Sequence, residues 1–184
     1  LDPAQTVERN LLKQQGLLTA AIRDDNPVVF LEQIPLYNVA GPVPAGEYVV
    51  PIGKAEIRQQ GGDVTLACIG RCVYDALAAH ERWRPKGVAV EVLDLRTLRP
   101  LDVEAIRASV AKTGRLVVVH EGWASYGIGA EVVACVSDGR ELLLRSPARR
   151  VGTIETHIPA SPRLAAAFLP NAERIDAAIS AVTG

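Results

Sequence analysis

From Asp63 to Gly184 the chain repeats one pattern, a short β-branched apolar run followed by a stretch with helical apolar periodicity. "DVTLACIG" reads as a strand, and Val73, Ala76, Leu77, His80 and Trp83 then fall on one helical stripe. After Gly87 comes a second strand, "VAVEVLDL". Asp102 is placed to cap a helix with Val103, Ile106 and Val110 on its inner side, and Gly114 to end it before "RLVVVHE". A third helix is expected over about Gly129–Val136, a further strand at "RRVGTIE", and a last helix capped by Asn171 with Ile175, Ala178, Ile179 and Val182 inside. Strands alternating with helices require a mostly parallel sheet covered on both faces, so the fold class is α/β with three layers, α/β/α.

The preceding residues do not continue the repeat. Val7, Leu11, Leu18 and Ile22 share one side of a predicted helix, and Asp24, Asp25, Asn26 and Pro27 separate it from a predicted strand, "VVFLE". One helix and one strand cannot bury themselves. The prolines and glycines of "IPLYNVAGPVPAGEYVVPIGKAEI" suit an extended connection. The expected organisation is a fragment of a second α/β domain at 1–35, a linker at 36–62 and an α/β domain at 63–184.

Charge and cysteine usage narrow the function classes. A formal charge of −1 offers no basic field for nucleic acid or anionic membrane, and neither partner is expected. Cys68, Cys72 and Cys135 lie in apolar stretches without CxxC spacing, which fits buried thiols in a reducing compartment. No apolar run is long enough to span a bilayer, and the first residues lack signal-peptide order.

Candidate chemistry is sparse. In "HEGWASYGIGAE", Gly127 and Gly129 open a helix whose N–H groups suit an anion, yet no third glycine completes a dinucleotide fingerprint. Close packing of that helix explains the glycines more simply. His120 and Glu121 are adjacent on a strand and point to opposite faces, so they cannot act on one atom. His80 and His157 have no carboxylates at metal-ligand spacing and read as structural. Arg96 and Arg99, in the loop after "VLDL", either clamp a carboxylate or phosphate or pair with Asp94, Asp102 and a neighbouring subunit. No nucleophile stands beside an evident base, so no catalytic residue and no cofactor-binding residue is assigned.

In this order, "AIRDDNPVVFLE", "VPIGKAEI", "GDVTLACIG", "VEVLDLRTLRPLD", "SVAKTGRLVVVHEGWASYGIGAE" and "LPNAERI" resemble the β subunits of thiamine-diphosphate-dependent 2-oxo acid dehydrogenases. "HEGW" with "GIGAE" is most similar to the pyruvate and acetoin enzymes, and branched-chain enzymes share the framework. The resemblance implies a transketolase C-terminal-type domain preceded by the end of a pyrimidine-binding domain. It implies oxidative decarboxylation of a 2-oxo acid with acyl transfer to lipoyl. Thiamine diphosphate and magnesium would then be bound mainly outside this chain, which would be inactive alone. Implied partners are an α subunit, a second β subunit and the subunit-binding domain of a dihydrolipoyl acyltransferase. The implied setting is bacterial cytoplasm or mitochondrial matrix. A potassium ion would take oxygens of Ala21, Asp24 and Asn26. The remaining alternative is a stand-alone module holding a phosphorylated ligand with Gly127, Gly129 and Arg96.

On the same resemblance "DLRTLRPLD" marks a joint. Where relatives often carry an acidic residue that grips the acyltransferase, this chain reads Leu144, Arg145, Ser146 and Pro147, reversing the charge. If Arg145 lies in that contact, Arg145→Asp should change affinity for the cognate subunit-binding domain at least roughly tenfold at low salt. Calorimetry with the purified domain measures this, and an unchanged affinity makes Arg145 an ordinary surface residue.

Overall fold

A computed structural model describes residues 11–38, 46, 48–138 and 144–184, which fall into two compact units, Leu1–Lys54 and Ala55–Gly184. In the second, β1 (Glu56–Gln59), β2 (Val64–Cys68), β3 (Val90–Asp94), β4 (Leu116–Trp123) and β5 (Arg149–Thr153) form one sheet in the order β1-β3-β2-β4-β5. Only the β1–β3 pairing is antiparallel. Every residue of β2 and β3 is buried, as strands covered on both faces require.

Helices supply the cover. Cys72–Trp83 (α2) and Ala172–Thr183 (α6) pack on one face with Leu66, Val117, Val119 and Val151. Val103–Thr113 (α3) and Ile128–Ser137 (α4) pack on the other with Leu93, Leu116 and Val118. The three-layer α/β/α arrangement is as the sequence predicts, and the short helix Pro162–Phe168 (α5), unforeseen there, has no fully buried residue.

Capping follows the residue types. Asp102 Oδ1 accepts from Ala105 N at 3.2 Å, and its Oδ2 accepts from Ala55 N at 3.0 Å, tying the start of α3 to the entry of β1. Gly114 ends α3 at φ 68, and Arg145 N donates to its carbonyl at 2.8 Å. Asn171 Oδ1 accepts from Arg174 N at 3.0 Å. Asp176 on α6 accepts from Trp83 Nε1 at 2.9 Å and from Arg82, joining α6 to α2 across 93 positions of sequence.

Two expectations change. The 36–62 stretch is not all connection, because β1 lies inside it and the compact unit starts at Ala55 rather than Asp63. β1 is four residues of alternating burial, too short and too polar to stand out beside the prolines and glycines before it. In the first unit Leu11–Ile22 forms α1 and Ile34–Asn38 a 3-10 turn, but 28–32 is not a strand. A strand needs a ladder partner, the described residues of that unit supply none, and Val29 stands 86% exposed. Val7 lies outside the described residues, and Leu18 and Ile22 are exposed.

Glu91, 0% exposed on β3, is the polar anomaly of the core. Its carboxylate accepts from Ser109 Oγ at 2.5 Å and from Lys112 Nζ. Ser109 in turn meets Thr65 at 2.7 Å, and Thr65 meets Thr113 at 2.8 Å, so strand and helix polar groups satisfy one another. Glu91→Ala should lower the unfolding free energy by about 2–4 kcal/mol through cavity formation and stranded donors. Lys112→Ala should cost a comparable ~3 kcal/mol by leaving a buried carboxylate without its cation. Urea denaturation of both variants measures the two costs.

Candidate functional site

In this sheet the chain leaves β2 over one face to reach β3 and returns over the other to reach β4. The crevice between the C-terminal ends of β2 and β4 is therefore the topological switch point, where open α/β sheets hold ligands. Here it is occupied by the chain's own charges. Arg71, just before α2, donates from Nε to Glu121 Oε1 at 2.8 Å and places Nη1 3.0 Å from Asp75 Oδ2. Burial raises the Asp75 carboxyl pKa, and Arg71 pulls the other way. Burial pushes the Cys72 thiol up to about 12, so it is no nucleophile at neutral pH.

A second network closes the end of β3. Arg96 adopts φ 58, rare for a side-chain-bearing residue, and its Nη2 reaches Glu56 Oε2 on β1 at 2.5 Å. Its N–H donates to Asp94 Oδ1 at 3.1 Å, and Arg58 Nη1 lies 3.8 Å from Asp94 Oδ2. Of the two readings of this loop, internal pairing holds for Arg96, whose partner is Glu56 rather than Asp102. Arg99 is exposed, and Asp102 serves as the helix cap.

A third feature lies on the α3/α4 face. His120 is 1% exposed, on the opposite side of β4 from the paired Glu121. A Cβ at Gly129 would stand 2.6 Å from His120 Nε2, and one at Gly127 would strike Trp123 O at 2.1 Å as well as His120 Cε1 at 2.7 Å. The two glycines therefore make room for an imidazole, in keeping with the packing role expected from sequence. Beyond the ring the turn presents Trp123, half-exposed, and Tyr126, 97% exposed at φ 54. Ala124 N donates to Thr153 O at 2.8 Å and Arg150 Nη1 to Ala124 O at 2.7 Å, fixing this corner against the end of β5. Ile154, Ile158 and Leu164, in the segment after β5, are also exposed.

The remaining candidates are scattered. His80 Nδ1 lies 2.7 Å from Val90 O as a core residue, and His157 is exposed. All three cysteines are buried and unpaired. Ala21, Asp24 and Asn26 lie in the first unit, where Asp24 Oδ1 accepts from both Asn26 N and Nδ2 at 2.9 Å. That backbone bond holds the Asp24 carboxyl below its ordinary value. Among the described residues no three His, Cys, Asp or Glu side chains cluster as metal ligands. Arg71 and Arg150 were missed because Glu121 and Ala124 lie 50 and 26 positions from them, and Glu56 and Arg58 because they lie on the unforeseen strand. No local motif carries such pairings.

The description "Transketolase, C-terminal domain" fits residues 53–175. The acetoin:2,6-dichlorophenolindophenol oxidoreductase subunit beta of Bacillus subtilis is 40% identical over 169 residues, 92% of this chain and 49% of that protein. The mitochondrial pyruvate dehydrogenase E1 component subunit beta of Caenorhabditis elegans is 45% identical over 170 residues, 90% of this chain and 48% of its own. The 2-oxoisovalerate dehydrogenase subunit beta of B. subtilis is 40% identical over 167 residues, 90% of this chain and 51% of its own. The chain thus spans about half the length of the curated relatives it matches. A solved structure titled as a split gene transketolase, inactive beta4 tetramer, superposes with TM-score 0.66 at 24% identity, over 78% of this chain and 47% of that one.

Asp94 gives this edge a pH signature. Burial pushes its carboxyl up to about 6 against the pull of Arg96 and Arg58. The folded state thus binds a proton that the unfolded state has released, and stability falls as pH rises from about 4 through 6. Asp94→Asn should gain on the wild type over that interval, by on the order of 2–3 kcal/mol. Denaturation curves at pH 4.5 and 7.5 check it, and a gap independent of pH contradicts it.

Proposed function

The chain belongs to the transketolase C-terminal domain family, and from that premise we propose that it is the C-terminal part of a β subunit of a 2-oxo acid dehydrogenase, serving subunit assembly and docking. The observation that carries this reading is the contrast at the sheet edge. The crevice where a ligand would lie is filled by Arg71 and Glu121, whereas the neighbouring aromatic corner is tied to β5 by hydrogen bonds and exposed. A contact surface fits that distribution better than a binding pocket. The module holding a phosphorylated ligand loses its residues, since Gly127 and Gly129 enclose His120 and Arg96 is paired with Glu56.

In the complete enzyme the reaction is decarboxylation of pyruvate or a related 2-oxo acid, with the acyl group passed to lipoyl. The acetoin and branched-chain enzymes are the alternatives, since relatives named for all three substrates are about equally similar. Thiamine diphosphate and magnesium are assigned mainly to residues outside this chain, and no step is derived through them. The first unit is assigned to the end of a pyrimidine-binding domain, with its potassium ligands at Ala21, Asp24 and Asn26. The turn fits that donor set in part: it engages one carboxylate oxygen of Asp24 and turns the Asn26 amide nitrogen, not its oxygen, toward it.

The partners are an α subunit, a second β subunit and the acyltransferase subunit-binding domain, in bacterial cytoplasm or mitochondrial matrix. No helix among the described residues is long and apolar enough to cross a membrane. The test is reconstitution: the complete β chain with its α subunit and thiamine diphosphate should decarboxylate a 2-oxo acid, and the 184-residue chain alone should not. A reconstituted pair inactive on pyruvate, branched-chain oxo acids and acetoin sinks the reading.

Self-association follows separately. The chain is expected to dimerise at micromolar concentration through the Trp123–Val133 segment and the loop after Asp94. Trp123→Ala with Tyr126→Ala should weaken the dimer by 2 kcal/mol or more, roughly thirtyfold in Kd. Light scattering across a dilution series reads both, and a wild-type chain of monomer mass at all concentrations removes the contact.

A further inference from the structure

His120 is the buried polar side chain that the chain's other contacts leave unexplained. Among the described residues neither ring nitrogen has a hydrogen-bond partner, although the ring is almost wholly enclosed. Such a group is destabilising where it stands. The enclosure is also specific. Nε2 faces Gly129, Cε1 faces Gly127, and Nδ1 lies 3.1 Å from where a Cβ of Gly122 would be. Glycines from the end of β4 (Gly122), the turn (Gly127) and the first residues of α4 (Gly129) thus lie round one imidazole, and Trp123 and Tyr126 lie between them in sequence.

The surroundings suit only a neutral ring. From β5 the charge that bears on it is the Arg150 guanidinium. On β4 itself Glu121 points to the other face and is held by Arg71. α4 contributes Glu131, exposed in its first turn, and Cys135, whose thiol donates to Val132 O. The first turn of α4 also directs its N–H groups toward this end of the helix, and Gly127 provides no side-chain cap. No carboxylate on these elements is placed to receive a second imidazole proton.

We propose that His120 is an acid-sensitive latch for the 122–129 turn: protonation drives the ring out of its glycine recess and remodels the Trp123–Tyr126 corner, so that docking there is governed by pH. The proposal deepens the reading of that corner as a contact surface and rests on it. Burial, and after it Arg150, lowers the His120 pKa. A histidine depressed in the folded state contributes stability above the ordinary value of about 6.5, and that stability is lost as pH falls through the interval below it.

The test uses the whole chain labelled with 5-fluorotryptophan, whose two tryptophans, Trp83 and Trp123, give separate fluorine resonances. Spectra are taken from pH 8 to 5 at a dilution where the chain is monomeric, so the outcome does not depend on self-association. The Trp123 signal should shift with a midpoint on the acid side of 6.5, together with the His120 Cε1 proton, while Trp83, held by Asp176, stays put. In His120→Gln the Trp123 shift should vanish. If that variant fails to fold, co-titration in the wild type carries the test alone. A Trp123 signal that stays flat while His120 titrates, or one that moves unchanged in His120→Gln, overturns the proposal. Light scattering on concentrated wild-type protein then reads the consequence, an at least tenfold weaker dimer at pH 5.5 than at 7.5.

Discussion

β2 and β3 have no solvent face, and this constraint orders everything else in the domain. A strand buried on both sides cannot carry a working polar group along its length unless the interior itself satisfies that group. Thr65 and Glu91 obey the condition through Ser109, Thr113 and Lys112. All other polar side chains are driven to the strand ends. The C-terminal ends then collect Arg71, Asp94, Arg96, His120 and Glu121 within a few residues of the sheet edge, not because chemistry gathers there but because the sheet has no other place for them.

At that edge charge is spent on closure. Glu121 meets Arg71 and Glu56 meets Arg96, so neighbouring strands are joined by ion pairs beyond the reach of their backbone ladders. The paired side chains remain partly solvated, so their contribution to stability is modest and their main effect is geometric. They hold the C-terminal ends of β2 and β4, and the loop after β3 against β1, in one arrangement.

Much of the architecture was legible in the residues. Asp102, Gly114 and Asn171 are local signals with local causes, and each bounds its helix as its chemistry dictates. Alternation along β4 is enough to separate His120 from Glu121. What stayed hidden was non-local. Glu56 looked like linker because β1 is recognised as a strand only once β3 lies beside it, and "VVFLE" looked like a strand although its unit offers no partner. Arg71 and Glu121 are 50 positions apart, and nothing in either neighbourhood points to the other. Gly127 and Gly129 suggested close approach, and only the fold reveals that what approaches is His120.

The bond between Trp83 and Asp176 has a consequence for biosynthesis. α6 follows all five strands in sequence, yet Ile175, Ile179 and Val182 complete the same core cluster as β2 and α2, made about a hundred residues earlier. On a ribosome working from N to C terminus, β2 through β5 emerge with half of one face uncovered, and contacts of such separation cannot form piecemeal. Until α6 clears the exit tunnel, the nascent domain displays Leu66, Val117, Val119 and Val151 to its surroundings. Apolar surface exposed for that interval is aggregation-prone until the helix arrives.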